Sequence, residues 1–404
     1  MRRPEPSPLA AHWTLDPEVT FLNHGAFGAC PREVLALQSE LRARMERDPI
    51  DFFVRACEPL LDEARGRLAE FLHADADDLA FVDNATAGAN TVLRSLDFRP
   101  GDELLTTDHL YNACGNALRA AAERAGARVV VVPLGLPLRG PEQIVEAVLG
   151  AVTDRTRLAL LDHVTSATAL VFPIESLVPA LQARGVDVLV DGAHAPGMVP
   201  VDIEGLGAAY YTGNCHKWLC APKGAGFLHV RRDRQAAIRP LVVSHGANST
   251  RTDRSRFRLE FVWTGTRDPS PCLCVPRAIE LVGGLVPGGW PEVRARNGAL
   301  ARRARALLSE VLGTTPPCPE SMLGSLAAVE LPAERGPRRA ALPDQDPLHL
   351  LLFERYRIEV PVYAWPVAER RWIRVSPHLH NSEAQYRSLA DALREALGRG
   401  EPVG

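Results

Sequence analysis

The chain is 404 residues long, more than a single hydrophobic core usually holds, so we expect a large domain and a smaller one. Its formal net charge of -3 and its 24% of charged residues are ordinary for a globular protein, and they give no basis for binding nucleic acid or an anionic membrane. No apolar run reaches the length of a membrane span, and the eight cysteines show no metal-ligand spacing. These features predict a reduced, cytoplasmic protein.

Short apolar runs alternate with amphipathic stretches from about residue 64 to residue 285. The predicted strands are 79–82, 103–106, 129–133, 158–162, 186–190, 208–212 and 226–230, and the predicted helices are 113–125, 141–151 and 175–184. Strands that are apolar throughout and separated by helices indicate a mainly parallel sheet covered on both faces. The sequence therefore predicts an α/β fold with a mainly parallel, seven-stranded sheet, and ligands bind such sheets at the carboxyl ends of their strands.

The pattern changes after residue 285. Predicted elements there are a helix at 293–313, a strand at 326–331, a Pro-rich mobile loop at 332–347, a helix at 348–356, a strand at 372–376 and a helix at 382–397. These elements predict a smaller α/β domain at the C-terminal end. The expected division is an N-terminal arm (1–20), a segment packing with the small domain (21–63), the large domain (64–285) and the small domain (286–404).

Lysine is rare in this sequence, which contains only Lys217 and Lys223. Lys217 follows the predicted strand 208–212, and an arginine could not replace its amine as a nucleophile because the guanidinium group stays protonated. Upstream, the segment 188–194 begins with an apolar strand that ends in Asp191. An amine can hold an aldehyde cofactor, and a carboxylate can keep a pyridine nitrogen protonated. This order of groups suggests a pyridoxal 5'-phosphate (PLP) site.

A phosphate group would need backbone N–H groups at a helix start and small hydroxyl side chains. Residues 83–90 lead from a strand end into a helix and satisfy this requirement. The candidate phosphate contacts are Ala85, Thr86, Ala87, Thr212 and His216. Short polar residues at this position also fit an ordinary helix N-cap.

Other candidates concern the cofactor ring and the substrate. His194, three residues after Asp191, could donate to the phenolic oxygen of the cofactor, and either His109 or Tyr111 could cover the exposed face of its ring. Arg374 lies within a predicted strand, where a charge is costly unless it is paired. A planar guanidinium suits a substrate carboxylate.

Taken together, these segments resemble the class V aminotransferase family of PLP-dependent enzymes of fold type I, and within it the isopenicillin N epimerases and their relatives. The resemblance covers roughly residues 18–400. It rests on the motifs Leu-Asn-His-Gly-Ala-Phe-Gly (22–28), Asn-Ala-Thr-Ala-Gly-Ala-Asn (84–90), Asp-Gly-Ala-His-Ala-Pro-Gly (191–197), Gly-Asn-Cys-His-Lys-Trp-Leu (213–219), Gly-Thr-Arg-Asp (265–268) and Ile-Arg-Val-Ser (373–376).

The resemblance implies a role for several residues. Lys217 would be the Schiff-base lysine, Asp191 the ring-nitrogen partner, and Thr86 and His216 phosphate contacts. Arg374 would bind the substrate carboxylate, with Asn23 and His24 on the substrate side. Thr266 would reach the cofactor phosphate of the neighbouring subunit, which implies a homodimer with shared active sites. Many family members carry Gln at the position of His194, so that contact departs from the family pattern.

The sequence is compatible with several reactions. An epimerase or racemase acting on an amino acid would need a proton donor on the face opposite Lys217, and Tyr111 or His109 could supply it. A C–S lyase would use the same groups for β-elimination, and residues 260–271 resemble hercynylcysteine sulfoxide lyase. An aminotransferase and a non-catalytic protein are further alternatives. Persulfide-forming desulfurase activity is disfavoured because residues 356–374 contain no cysteine.

Overall fold

The computed structural model describes residues 3–333 and 346–398. Its strands are β1 (Thr20–Phe21), β2 (Leu79–Val82), β3 (Glu103–Thr107), β4 (Arg128–Val132), β5 (Thr156–Asp162), β6 (Asp187–Gly192), β7 (Tyr210–Asn214), β8 (Gly226–Val230), β9 (Ala327–Glu330), β10 (Ile358–Glu359), β11 (Val362–Ala364) and β12 (Arg371–Val375). Most of the predicted Pro-rich loop, residues 334–345, lies outside the described residues.

The helices follow the same chain order. They are α1 (His24–Phe27), α2 (Arg32–Arg47), α3 (Cys57–Leu72), α4 (Ala85–Ser95), α5 (Asn112–Ala125), α6 (Glu142–Gly150), α7 (Ile174–Gln182), α8 (Ile203–Leu206), α9 (Arg256–Val262), α10 (Ser270–Leu273), α11 (Val275–Gly284), α12 (Gly289–Leu312), α13 (Pro347–Tyr356) and α14 (Glu383–Ala396). Within residues 3–333 and 346–398, no single helix is long and apolar enough to cross a membrane. The segments 270–284 and 289–312 reach that threshold only as a pair bent by 70°.

The main sheet has seven strands in the order β2-β8-β7-β6-β5-β3-β4. Strands β7, β6, β5, β3 and β4 are parallel to one another, and β8 is antiparallel to both β7 and β2. This topology confirms the predicted α/β fold with a mainly parallel seven-stranded sheet. The observed strand ends differ from the predicted ones by no more than two residues.

Both faces of the sheet are covered, which explains the uniformly apolar strands. Leu158, Leu160 and Leu189 pack with residues of α4 and α5 on one face. Val188 and Val190 belong to the larger core on the opposite face, which includes residues of α6 and α7. Because the strands are parallel, Asp162, Asp191 and the residues after β7 end at the same edge of the sheet, where a ligand is expected.

A second, three-stranded sheet in the order β11-β12-β9 is antiparallel and packs against α12. The N-terminal segment joins this part of the molecule: β1 pairs with β10, and Asn23 forms a bridge with Ser376. Residues 20–23 therefore lie beside the C-terminal strands. The domain boundaries at residues 20, 63 and 285 remain predictions.

Candidate active site

A cavity of about 510 Å³ opens at the carboxyl edge of the main sheet. Its polar and charged lining residues come from strand ends, helix starts and the segment after β7: Asp83, Asn84, Thr86, Tyr111, Asp162, Ser166, Asp191, His194, Asn214, His216, Lys217 and Lys223. The parallel strands β5, β6 and β7 bring together groups that are far apart in the sequence. The predicted residues Lys217, Asp191, His194, Thr86, Ala85, His216 and Tyr111 all line this cavity.

Lys217 contacts His194 inside the cavity, with 3.2 Å between Nζ and His194 Nε2. Trp218 Nε1 donates to His194 Nδ1 at 3.3 Å, and since an indole N–H can only donate, the imidazole proton is on Nε2. Burial, and next the positive charge of Arg374, lower the pKa of Lys217 to about 8. The amine can therefore accept the Nε2–H of His194, and a substantial neutral fraction is available for nucleophilic attack near neutral pH.

Asp191 is buried at the end of β6 and keeps both carboxylate oxygens hydrogen-bonded. Its Oδ1 accepts from the N–H of Ala193 at 2.9 Å, and its Oδ2 accepts from the thiol of Cys114 at 3.1 Å. These donors stabilise the ionised carboxylate and fix its orientation toward the cavity. An anion held in this way suits the predicted role beside a protonated ring nitrogen.

Helix α4 begins at the cavity with one free backbone donor. The N–H of Ala85 donates to Asn214 Oδ1, and that of Ala87 donates to Asn84 Oδ1, both at 2.9 Å. Only Thr86 at this helix start has an N–H without a partner in the described part of the chain. The amides predicted at positions 85 and 87 are thus already used by side-chain caps, and Thr86 is left to bind an anion.

Thr212 supports α4 and does not line the cavity. Its hydroxyl donates to the carbonyl of Phe227 at 2.8 Å, and a Cβ added to Gly88 would lie 2.0 Å from the Thr212 oxygen. This close approach fixes the distance between α4 and β7. The predicted phosphate contact at Thr212 is therefore replaced by a packing role, and Asn214, two residues further along β7, reaches the cavity instead.

His216 and Lys223 complete the same end of the cavity. His216 donates from Nδ1 to the carbonyl of Ala225 at 3.0 Å, which leaves Nε2 without a partner among residues 3–333 and 346–398. Burial lowers the pKa of His216 to about 4, so the free ring is neutral. Lys223 Nζ donates to the carbonyl of Gly28 at 2.9 Å and adds a cation that the sequence reasoning did not assign to the site.

Arg374 is a buried cation, with 1% of its surface exposed. One terminal nitrogen donates to Ser166 O at 2.7 Å and Ser166 Oγ at 3.2 Å, and the other lies 3.4 Å from Asn23 Oδ1. Its Nε has no partner, and no carboxylate among the described residues pairs with the guanidinium. Because a buried charge without a counterion is costly, this arrangement favours an anionic ligand.

Asn23 holds Arg374 and does not itself line the cavity. Its Nδ2 donates to Glu359 Oε1 at 3.0 Å, which directs Oδ1 toward the guanidinium. Glu359 also contacts His349 Nε2 at 3.2 Å. Asn23, predicted on the substrate side, therefore contacts Arg374, the residue that would bind a carboxylate, and does not face the substrate itself.

Tyr111 and His109 lie in different environments, one at the cavity and the other in the protein interior. Tyr111, at the start of α5, lines the cavity and is 43% exposed. His109 is buried and does not line the cavity, with Nδ1 2.7 Å from Thr168 Oγ1, and Nε2 donating to the carbonyl of Leu134 at 2.8 Å. Both ring nitrogens of His109 are occupied, so only Tyr111 is in position to face a bound group.

His24 also lies outside the cavity, contrary to its predicted place on the substrate side. Its Nε2 donates to the carbonyl of Lys217 at 3.1 Å, and its Nδ1 lies 3.2 Å from His380 Nε2. His24, His378 and His380 have ring nitrogens close enough for a shared metal. However, the rings of His24 and His378 are stacked 4.2 Å apart at 20°, and an ion cannot lie in both ring planes at bonding distance. This cluster supports the backbone of Lys217.

Gly28 explains why the segment 22–28 matters to the site. Its φ of +70° suits glycine, and a Cβ there would lie 2.1 Å from the carbonyl of His216. Thr266, in contrast, is exposed and does not line its own chain's cavity. Its neighbour Arg267 pairs with Asp83 at the cavity rim, at 2.7 Å. The role of Thr266 toward a second subunit remains a prediction.

Comparisons with known proteins agree with this geometry. Residues 37–314 match the family described as aminotransferase class-V. The chain belongs to this family. It is 38% identical to isopenicillin N epimerase of Amycolatopsis lactamdurans over 95% of this chain and 96% of that one. It is 32% identical to a probable chloroplastic L-cysteine desulfhydrase of Arabidopsis thaliana, over 95% of this chain and 84% of the relative.

A solved structure gives the fold. A C-DES mutant with glycine covalently linked to its PLP cofactor has a TM-score of 0.76 and 23% identity, covering 93% of this chain and 96% of that chain. This similarity confirms fold type I. Family membership and the PLP-bound neighbour identify PLP as the cofactor.

The residues present fit this cofactor. Lys217 would hold its aldehyde carbon, Asp191 its ring nitrogen, and Thr86 and His216 its phosphate, while Tyr111 would face its ring. The unpartnered N–H of Thr86 and the buried amine of Lys217 are the observations that favour this placement.

Outside the segment 83–90, four polar lining residues were missed by sequence reasoning: Asp162, Ser166, Asn214 and Lys223. Asp162 carried a usable signal, since it ends an apolar strand in the same way as Asp191. Ser166 and Asn214 are short polar residues near strand ends, and such residues are common in turns and caps. Nothing in their local sequence distinguishes them from those ordinary roles.

Proposed function

We propose that this protein is a PLP-dependent epimerase that inverts the α-carbon of an amino acid substrate, of the isopenicillin N type. The observation that carries the proposal is that two groups able to transfer a proton, Lys217 and Tyr111, face one cavity, and that the buried cation Arg374 bonds to Ser166 in the wall of this cavity. The two relatives named isopenicillin N epimerase, at 38% and 34% identity over 95% of this chain, support this choice.

Each of these residues has a defined task in the proposed reaction. When bound, PLP withdraws electrons from the α-carbon of an attached amino acid. Arg374 would bind the α-carboxylate with two N–H groups and orient the α-carbon. Lys217, whose pKa is lowered to about 8 by burial and Arg374, would take the α-proton as a neutral amine. Tyr111 would return a proton to the opposite face.

His194 would keep the lysine amine in place during this transfer. Its Nε2–H points to Lys217 Nζ, and its other nitrogen is fixed by Trp218. Burial and the charges of Lys217 and Arg374 lower the pKa of His194 well below its usual value. A neutral imidazole with a fixed tautomer can orient the amine without competing for the proton.

A second candidate is β-elimination from L-cysteine or a related thiol-containing amino acid. Relatives named L-cysteine desulfhydrase, 30–32% identical over 94–95% of this chain, favour this reaction. Tyr111 would then protonate the leaving sulfur. Persulfide transfer to an enzyme thiol is disfavoured, because all eight cysteines are buried and none lines the cavity.

The deciding experiment is proton NMR in deuterated water, with the PLP-loaded protein and a panel containing isopenicillin N, other amino acids and L-cysteine. Loss of the α-proton signal, an intact side chain and appearance of the second stereoisomer are expected. Pyruvate and side-chain loss would support elimination, and accumulation of pyridoxamine phosphate would support transamination. Absence of exchange with every compound would contradict the proposal.

The attachment site can be mapped without knowing the substrate. Borohydride reduction of the PLP-loaded protein fixes PLP to a lysine, and the chain offers only Lys217 and Lys223. We expect the label on the peptide that contains Lys217, and no label in Lys217→Ala. A label on Lys223 in the wild-type protein would overturn the assignment.

We also propose a homodimer with shared active sites. Phe27 lines the cavity rim and is 75% exposed in the single chain, and Val54 and Val243 are 72% and 68% exposed. Large apolar side chains exposed in this way favour a covering surface, and a second copy would supply it. Sedimentation should give a dimer mass, and Thr266→Ala should weaken PLP binding. A monomer that binds PLP fully would contradict this proposal.

A further inference from the structure

A second carboxyl group lies beside Asp191 at the carboxyl edge of the sheet. Asp162 ends β5 and is paired in register with Asp191 of β6. Residues paired in this way project from the same side of the sheet, and neighbouring strands lie about 4.8 Å apart. Both side chains line the cavity, and only 3% of Asp162 and 2% of Asp191 are exposed. Two buried carboxyl groups therefore share one end of the site.

The two groups differ in the hydrogen-bond donors around them. Both oxygens of Asp191 accept a hydrogen bond, from Ala193 and from Cys114. Asp162 accepts the N–H of Tyr111, but its Oδ2 is buried and has no partner in the described part of the chain. Asp162 also forms no ion pair with any described residue. Asp191 is therefore the better-stabilised anion of the pair.

One proton belongs on this pair at neutral pH. Two carboxylates this close in a buried site cannot both ionise without a large electrostatic cost. Because the donors stabilise the anion of Asp191, the proton resides on Asp162. The other groups facing Asp162 are Lys217 after β7, Cys114 on α5 and the backbone N–H of Tyr111, the residue before α5. Burial, together with the charge of Asp191, raises the pKa of Asp162 well above its usual range.

We propose that Asp162 is a proton-bearing acid of the active site, which donates a hydrogen bond from Oδ2 to an anionic oxygen of the group held in the cavity. Cofactor and substrate can each supply such an oxygen, and the experiment below distinguishes them. The inference rests on the PLP site and is independent of whether the protein is an epimerase or a lyase.

Infrared difference spectroscopy tests the protonation state directly. The wild-type protein without PLP should show, at neutral pH, the carbonyl stretching band of an un-ionised carboxyl group, and Asp162→Asn should lack this band. A shift of the band on adding PLP alone would assign the acceptor to the cofactor. A shift that appears only when glycine is added to the PLP-loaded protein would assign it to the amino acid carboxylate.

Two variants sharpen the test. Asp162→Asn keeps the size and neutrality of the native acid, so PLP affinity should change by less than about threefold. Asp83→Asn removes an exposed carboxylate at the cavity rim, paired with Arg267, and should leave the infrared band unchanged. A wild-type protein without the band, or a band that persists in Asp162→Asn or ignores both ligands, would overturn the inference.

Discussion

The amine of Lys217 is buried next to a cation, and its pKa of about 8 follows from that setting. Only the neutral amine attacks the aldehyde of PLP. The rate of PLP attachment to the apoprotein should therefore rise from about pH 7 to about pH 9 and then level off, because the neutral fraction increases through the pKa. Stopped-flow absorbance measures this rate. A midpoint near the ordinary lysine value of about 10.4 would contradict the prediction.

Arg374 is a buried guanidinium without a carboxylate partner among the described residues, so its loss should act mainly on substrate binding. Arg374→Gln is expected to raise KM for an amino acid substrate about a hundredfold, the scale of a lost buried charge pair. PLP absorbance should stay unchanged. Steady-state kinetics with Arg387→Gln, a surface variant on α14, provides the control. Equal KM values in the two variants would remove Arg374 from the substrate site.

Helix α1 and the segment after β7 approach each other through Gly28. Gly28→Ala adds a Cβ at 2.1 Å from the carbonyl of His216, in addition to the strain of a positive φ. Gly185→Ala has a similar φ of +75° with no atom near its Cβ, so it should cost only about 1 kcal/mol. Gly28→Ala should cost at least about 2 kcal/mol more and release PLP. Urea unfolding and PLP absorbance of both variants test this difference.

The contact between α13 and β10 predicts a pH-dependent stability. The hydrogen bond that His349 donates to the Glu359 carboxylate raises the pKa of His349. Burial alone would raise the pKa of Glu359, but hydrogen bonds from His349 and Asn23 lower it. The contribution of His349 to the free energy of unfolding is complete below its unfolded pKa of about 6.5, and it is lost as the pH rises through the raised pKa of the folded state. The contribution of Glu359 to the free energy of unfolding is present above about pH 4.5, and it is lost as the pH falls through the lowered pKa of the folded state.

His349→Gln should therefore reduce the free energy of unfolding most between about pH 4.5 and pH 6.5, and progressively less above that window. Denaturant unfolding at several pH values measures the difference. In a Glu359→Gln background the pH dependence of this difference should disappear, because the partner is gone. A difference that stays constant with pH in the wild-type background would contradict the assignment.

The elements were easier to predict than the contacts of single residues. Continuous apolar runs located the seven strands, since the burial of all of them except the edge strand β4 on both faces leaves a strong signal in the sequence. Lys217 and Asp191 were recognisable because their chemistry has few substitutes. The placement of Thr212, His24 and His109 could not be predicted, because a side chain one residue along a strand or loop turns to another face. Only the packed structure determines which face meets the cavity.

At the scale of the whole molecule, distant parts of the chain meet at one cavity. Lys217, after β7, lines this cavity, whereas Arg374 of the small sheet contacts the lining residue Ser166 and is held from behind by Asn23, which follows β1. PLP bound to the folded protein alone should stabilise the entire assembly, by about 2.7 kcal/mol at a free concentration of 100 times Kd. Thermal unfolding with and without PLP measures this effect, and Lys217→Ala should lose most of it. An unchanged Tm in the wild-type protein would argue against the site.

The pairing of β1 with β10 has a consequence for synthesis on the ribosome. Asn23 bridges to Ser376, and His24 contacts His380, so residues of the N-terminal segment are completed by residues made 356 positions later in the case of His24. Most domains fold from the N-terminal end as they emerge, but here the segment 20–28 must wait for its partners at residues 358–380. The backbone of His216 and Lys217 packs against that segment, through the hydrogen bond from His24 and the close approach of Gly28. The main sheet can form before those residues are made, whereas a competent cofactor site can form only after residues 376–380 have emerged.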